Sequence, residues 1–496
     1  MPNLYDLFEG CFPTDRTRPF MQTPAGHAIT YDDVETTVAA YGGVLAALGV
    51  GPGERVAVQV EKSPEAVLLY LAVMRAGAIY LPLNTAYTGD EMEYFLADAE
   101  PALVVCRPKD AARLEGHPDR HVLTLDADGS GTFTERAGSV SPMAGSVART
   151  GDDVAAILYT SGTTGRSKGA MLTIDNLWSN AVTLRDAWGF TGDDVLLHAL
   201  PIFHVHGLFV AIGCVLASGA QMVMVTKFDA GEIAALLERA TVMMGVPTFY
   251  TRLLSHPGFD RGVCAHMRLF TSGSAPLLPE TWQEFRERTG QAILERYGMT
   301  ETGMSTSNPL DGERIPGSVG PPLSGISVRI VDDRGHALPA GEPGMLEVKG
   351  PNVFKGYWRM PEKTAEDFRP DGFFITGDIA KIDANGYVSI VGRSKDMIIS
   401  GGLNVYPLEI EDAIDRLDGV IESAVIGLPD ADLGERVVAV VKAEAAPPDA
   451  GDMIATLKTV LASYKVPKQI IFVDDLPRNV MGKVQKAELR KVHGGR

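Results

Sequence analysis

Residues 154–170 read VAAILYTSGTTGRSKGA. The apolar run VAAIL is followed by twelve residues that hold five Ser/Thr hydroxyls, three glycines, one arginine and one lysine. A buried strand running into a glycine- and hydroxyl-rich loop suits phosphate binding, because glycine lets backbone N–H groups approach an anion. The order Gly162-Thr-Thr-Gly165-Arg-Ser-Lys168-Gly169 departs from GxxxxGK[ST], which disfavours a P-loop NTPase. On composition alone, a solvated linker explains the stretch equally well.

Outward from this stretch, strand and helix patterns alternate. RVAVQV (55–60), PEAVLLYLAVMRAG (64–77) and AIYLPL (78–83) read as strand, helix and strand, and QMVMV (221–225), GEIAALLERA (231–240) and TVMMGV (241–246) repeat the scheme. Such units predict parallel sheets covered by helices. From about 315 to 400, short runs broken by Gly, Asp-Asn and Pro turns predict antiparallel β structure. After GRSKDMIISGG the helix-and-strand style returns for about 100 residues, a normal domain size. Leu208 to Val225 carries no charge but is interrupted by Gly213, Ser218, Gly219 and Gln221, so it reads as a buried helix, turn and strand rather than a membrane span.

The 496 residues exceed one hydrophobic core. With 45 basic and 63 acidic residues the formal net charge is −18, which argues against nucleic-acid or anionic-membrane partners. Anionic substrates would have to be met by local cations and backbone N–H groups. Cys11, Cys106, Cys214 and Cys264 lie far apart, which suggests neither a disulfide framework nor a zinc site and fits a reducing, cytoplasmic setting. The N-terminal segment has no signal-peptide pattern.

Five stretches occur in order: YTSGTTGRSKGA (159–170), ERYGMTETG (295–303), FFITGDIA (373–380), GRSKDMIISGGLNVYPLEIE (392–411) and PRNVMGKVQKAELR (477–490). Together they closely resemble the adenylate-forming enzymes, a superfamily of acyl-CoA synthetases, luciferases and peptide-synthetase adenylation domains. The resemblance runs from ITYDDVE (29–35) to the C-terminus. It implies an α/β fold: a large N-terminal domain (1–394) of doubly wound sheets with a small β-barrel-like part, then a small, mobile α+β domain (395–496). It also implies a two-step reaction using ATP, Mg²⁺ and coenzyme A. A carboxylate attacks the α-phosphate and releases pyrophosphate; a thiol then displaces AMP.

Carried over position by position, Thr160, Ser161, Gly162, Thr163, Thr164, Gly165 and Lys168 would embrace the phosphates. Thr160 and Glu301 would hold Mg²⁺, a hard cation that takes few protein carboxylates. Gly273, Ser274 and Ala275, with Glu295, Arg296, Tyr297, Gly298 and Thr300, would contact the nucleotide, Tyr297 stacking on adenine. Asp378 would accept the ribose hydroxyls and Arg393 donate to them. Lys483, read as part of a charged C-terminal helix, would bridge the carboxylate and the α-phosphate. Lys395 would be the hinge about which the small domain rotates, and Gly401 and Gly402 would then make room for the pantetheine arm.

FHVHGLF, GVPTFYTRLL, LERYGMTET, STSNP and GPNVFKGYWRMPEKT, with AYT at 86–88, look like malonyl-CoA synthetases. That resemblance implies an acid pocket of Val205, His206, Arg252, Ser272 and Met304, with His204 joining Lys483 and Glu301 as a catalytic residue. An arginine near an apolar pocket would want an anion, which the second carboxylate of a dicarboxylic acid supplies. The rival outcomes are a ligase for another short acid, or a module loading a carrier-protein thiol. The sequence does not decide the oligomeric state.

Overall fold

Runs of Val, Ile, Leu and Met bounded by turn residues become the buried strands of two large sheets in the computed structural model, which describes residues 3–115, 118–160, 167–401, 403–430, 433–479 and 482–494. One sheet has the order Gly303–Ser307, Ile293–Met299, Leu269–Ser272, Val242–Gly245, Val195–His198, Gln221–Met224, Pro19–Gln22 and Ala28–Thr30. It is parallel except for its outermost pair at each end. The second has the order Gly356–Tyr357, Lys168–Thr173, Val154–Thr160, Ile79–Pro82, Arg55–Gln59, Leu103–Cys106 and His121–Thr124. Its last five strands run parallel.

The helix Pro64–Arg75 starts with Ser63 capping the Ala66 N–H and proline in its first turn, where a missing N–H costs nothing. It is apolar all round and correspondingly buried, with Val67, Leu69, Leu71 and Val73 inaccessible. The uncharged segment 208–225 is buried as expected: a π-helical turn His206–Ala211, the helix Ile212–Ser218, Gly219 at φ +65° as its cap, and the strand Gln221–Met224. Among the described residues, no helix is long and apolar enough to cross a membrane.

Residues 315–400 form antiparallel β structure, with strands ordered Ser327–Val331, Gly344–Lys349, Phe374–Ile382 and Val388–Arg393. Bridges Thr306–Pro322 and Gly320–Val388 tie this sheet back to the large one, giving a barrel-like curl. Beyond it, Leu403–Val405, Ile398–Ser400, Gly434–Ala443, Val420–Asp430 and Gln469–Val473 make a separate sheet flanked by the helices Pro407–Asp415, Ala450–Val460 and Lys486–His493. This sheet has its own apolar core, including Ile398, Ile410, Val425, Val437, Val441 and Leu457. Lys483 is not in the helix the sequence suggested. It sits in a hairpin before it, where Arg478 bridges to Val484, because Asn479 and Gly482 supply turn chemistry.

Candidate active site

The two ends of the first motif lie on the antiparallel strands Val154–Thr160 and Lys168–Thr173, and Thr160 is the register partner of Lys168. The Thr160 hydroxyl reaches the Lys168 carbonyl at 3.5 Å. Ser161, Gly162, Thr163, Thr164 and Gly165 lie outside the described residues. The Lys168 ammonium stands 4.3 Å from the centre of the Tyr357 ring and 3.9 Å from Asp367. Tyr357 donates to Glu301 at 3.2 Å. Sequence reasoning assigned no role to Tyr357, although GYWRMP was among the stretches that carried the resemblance.

Glu301 is 6 % exposed, in the turn that follows the strand Ile293–Met299. Burial raises its pKa, opposed by the Tyr357 hydroxyl and by Arg393 and Lys168. Among the described residues no cluster of three or more His, Cys, Asp or Glu could hold a metal. A single buried carboxylate with hydroxyls nearby does fit Mg²⁺, which keeps waters and takes substrate phosphates as its remaining ligands.

Antiparallel pairing sets the next group: Asp378 and Arg393 are cross-strand partners. Arg393 Nε lies 2.7 Å from Asp378 Oδ1, and Tyr297 Oη donates to Asp378 Oδ2 at 2.5 Å. Asp378 is 3 % exposed, so each of its oxygens needs such a partner. Lys483 lies within electrostatic reach of the same group. It keeps solvent on one side, yet surrounding protein first and Arg393 and Lys395 next bring its pKa down to about 8. Lys395, in the short turn Ser394–Asp396, also titrates below its usual range, chiefly through burial. Gly401, at φ +59°, donates to the Leu433 carbonyl at 2.8 Å in an exposed hairpin; Gly402 lies outside the described residues.

Glu295 is buried without a cation; its Oε1 accepts from the Gly317 N–H at 3.0 Å, and burial pushes its pKa up to about 8. Tyr297 follows two residues on in the same strand, so it leaves the backbone on the same side. Gly298 must be glycine, because a Cβ there would come within 2.0 Å of the Gly303 carbonyl oxygen and 2.5 Å of Met304 Cε. Thr300 is half-buried at the end of this run, as are Ser274 and Ala275 across from it.

Arg296 goes the other way. Its guanidinium lies over Gly273, where a Cβ would meet Nη1 at 2.4 Å. It is 3 % exposed, and its Nε and Nη2 have no hydrogen-bond partner among the described residues. Burial lowers its pKa to about 10, so it stays charged at neutral pH. Around it stand His204 and His206, whose titrations it depresses after burial. His204 Nδ1 accepts from the His206 N–H at 3.2 Å. His206 Nδ1 is 3.2 Å from the Ser274 hydroxyl, while its Nε2 is unpartnered, as is the buried Ser272 hydroxyl. Ser274 holds φ +72°, a conformation unfavourable for a residue with a Cβ and common at ligand-contacting turns. Val205 and Met304 complete the buried wall, and Asn180 fixes Met304 by hydrogen bonds to its carbonyl and N–H at 2.9 and 3.0 Å.

Arg296, grouped with the nucleotide contacts by its motif, is a buried cation beside His206. Arg252, expected near an apolar pocket, is exposed on the helix Pro247–Leu254. It lies one turn beyond Thr248, the residue that a side chain on Gly482 would touch at 3.1 Å.

The chain matches the AMP-binding enzyme family over residues 12–358 and the AMP-binding enzyme C-terminal domain over 409–483. It is 37 % identical to the mitochondrial malonate–CoA ligase ACSF3 of Mus musculus across 88 % of this chain and 81 % of that protein. It is 36 % identical to a feruloyl-CoA synthase of an Amycolatopsis species across 98 % of this chain and 99 % of that protein. Among solved structures, the ATP-bound MatB of Rhodopseudomonas palustris superposes with a TM-score of 0.97 at 55 % identity, covering 99 % of each chain.

Proposed function

The chain belongs to the AMP-binding enzymes and is an AMP-forming acid–CoA ligase acting on small molecules; from that premise we propose that its acid is malonate, with methylmalonate as a second substrate. The observation that carries this reading is Arg296. A guanidinium at 3 % exposure with Nε and Nη2 unmet is costly unless an anion pairs with it. Those two nitrogens form one edge of the guanidinium fork, the edge that takes a carboxylate through two parallel hydrogen bonds. One carboxylate of the acid must reach the α-phosphate, so a dicarboxylic acid fills both demands and a monocarboxylic acid leaves Arg296 bare. His206 Nε2 and the Ser272 hydroxyl add unmet polar groups for the same carboxylate, and Arg252 would reach it from the cleft. Relatives named for malonate and for ferulate are about equally similar to this chain, so the choice of acid rests on Arg296.

In the first step two anions meet, so neutralising charge is the main requirement. Lys168 with the hydroxyls of Thr160, Ser161, Thr163 and Thr164, and the backbone at Gly162 and Gly165, would hold the β- and γ-phosphates. Mg²⁺, held by Glu301 and the Thr160 hydroxyl, would supply further charge neutralisation there. Asp378 and Arg393 would take the ribose, Tyr297 would stack on adenine, and Glu295, Gly273, Ala275, Gly298 and Thr300 would line the base. His204 would stand beside the attacking carboxylate. Lys483 would bridge that carboxylate and the α-phosphate, a mobile point charge suited to charge that builds only in the transition state. For the second step, residues 395–496 would rotate about Lys395, withdrawing Lys483 and bringing Gly401 and Gly402 to the thiol path. The four cysteines are free thiols, three of them buried, in keeping with a reducing compartment such as the cytoplasm.

The test is AMP release by the purified chain with ATP, Mg²⁺ and CoA against malonate, methylmalonate, succinate, butyrate and ferulate. Malonate and methylmalonate are expected to lead. A leading rate with butyrate or ferulate overturns the assignment.

A further inference from the structure

Between Lys483 and the body of the small domain stands a brace that the reaction scheme above does not use. Arg478 opens the hairpin that carries Lys483. Its Nη2 pairs with Glu422 on the strand Val420–Asp430, and its Nη1 donates to the Gly482 carbonyl at 2.6 Å. Gly482 is the residue immediately before Lys483 and holds φ +76°, a left-handed turn that glycine adopts without strain. The hairpin is closed by the Asn479 N–H on the Lys483 carbonyl at 3.0 Å and the Gln485 N–H on the Pro477 carbonyl at 2.8 Å. The Asn479 side chain in turn accepts from the Lys483 N–H at 3.0 Å. Beyond the turn, Lys486 pairs with Glu411 at 2.6 Å and Arg490 with Asp396 at 2.8 Å.

We propose that Arg478 is a positioning residue for the first half-reaction: by joining Glu422 to the Gly482 carbonyl, it fixes where Lys483 stands in the cleft. The proposal rests on Lys483 being the lysine that bridges acid and phosphate. Arg478 does not itself reach the reacting atoms. It ties the turn to the strand behind it, while Thr248 of the large domain stands 3.1 Å from where a Cβ on Gly482 would lie. Lys486 and Arg490 anchor the helix after the hairpin, so they leave the turn itself to Arg478. A lysine on a long flexible stem loses little by binding but much by being misplaced, since errors of about 1 Å at a reacting centre cost on the order of a hundredfold. Once the small domain has turned for thioester formation, Lys483 is no longer required and the brace should have no kinetic role.

The experiment compares Arg478→Met, Arg478→Lys, Glu422→Gln and Lys483→Ala in the full chain. Acid-dependent pyrophosphate exchange reports the first half-reaction; thioester formation from supplied acyl-adenylate reports the second. Arg478→Met is expected to lower kcat for exchange about ten- to a hundredfold, to leave KM for ATP and acid within about twofold, and to leave the second half-reaction unchanged. Arg478→Lys, which keeps a cation for Glu422 or the carbonyl but not for both, should recover part of the loss. Unchanged exchange in Arg478→Met alongside inactive Lys483→Ala overturns the brace. Equal loss of both half-reactions means the residue only stabilises the domain, and also overturns it. If Arg478→Met does not fold, Glu422→Gln carries the same expectations. Full exchange by Lys483→Ala instead removes the reading of Lys483 on which the brace depends.

Discussion

Replacing Arg296 by methionine keeps most of the side chain's volume and removes its charge. Among the described residues its Nε and Nη2 are unmet, and the residue is 3 % exposed, so a carboxylate bound there would have two hydrogen bonds to a desolvated cation. Hydrogen bonds to charged groups contribute about 1.5–3 kcal/mol each, so two of them amount to roughly 3–6 kcal/mol. At about 1.4 kcal/mol per tenfold, that is a loss of about two to four orders of magnitude in kcat/KM for malonate. Butyrate has nothing to place against the guanidinium, and for it the substitution removes a buried unpaired charge, so its kcat/KM should hold or rise. The assay is pyrophosphate exchange at matched ionic strength with each acid, alongside thermal unfolding of both proteins. Parallel losses for malonate and butyrate would refute the reasoning, for they would mean a collapsed pocket rather than a lost carboxylate ligand.

Lys483→Ala should abolish adenylation while sparing thioester formation from supplied acyl-adenylate, measured as the two half-reactions separately. The Lys483 ammonium titrates near 8; a lysine carries its charge below its pKa, so kcat/KM for exchange should fall as pH rises through about 8. Lys483→Arg should abolish that alkaline limb, and the second half-reaction should not share it. Lys395→Pro should stop the domain rotation: exchange continues, overall AMP release with CoA falls at least about tenfold, and equal rates in both would contradict the hinge.

The parallel sheets were legible because fully buried strands must be apolar throughout, as in LVVC at 103–106 and VMMG at 242–245. Lys168 and Arg393 were legible only through motifs, since nothing in their local pattern separates them from surface residues. The burial of Arg296 beside His206 was not read from the sequence, because its neighbours Glu295 and Tyr297 draw it into a nucleotide motif. Strand alternation was the available signal, for in Ile293–Met299 adjacent side chains leave opposite faces. The exposure of Arg252 was not legible for a related reason: apolar residues around an arginine suggest burial, but one face of a helix can be solvated. Contacts between distant segments, such as Arg478 with Glu422 or Tyr357 with Glu301, leave no trace in either local sequence.

The most direct measurement is the ratio of kcat/KM for malonate to that for butyrate in pyrophosphate exchange without CoA. A buried cation awaiting a second carboxylate predicts a ratio above about a hundred, the value of one well-made charged contact pair. A ratio at or below one would contradict it, whatever the family resemblance.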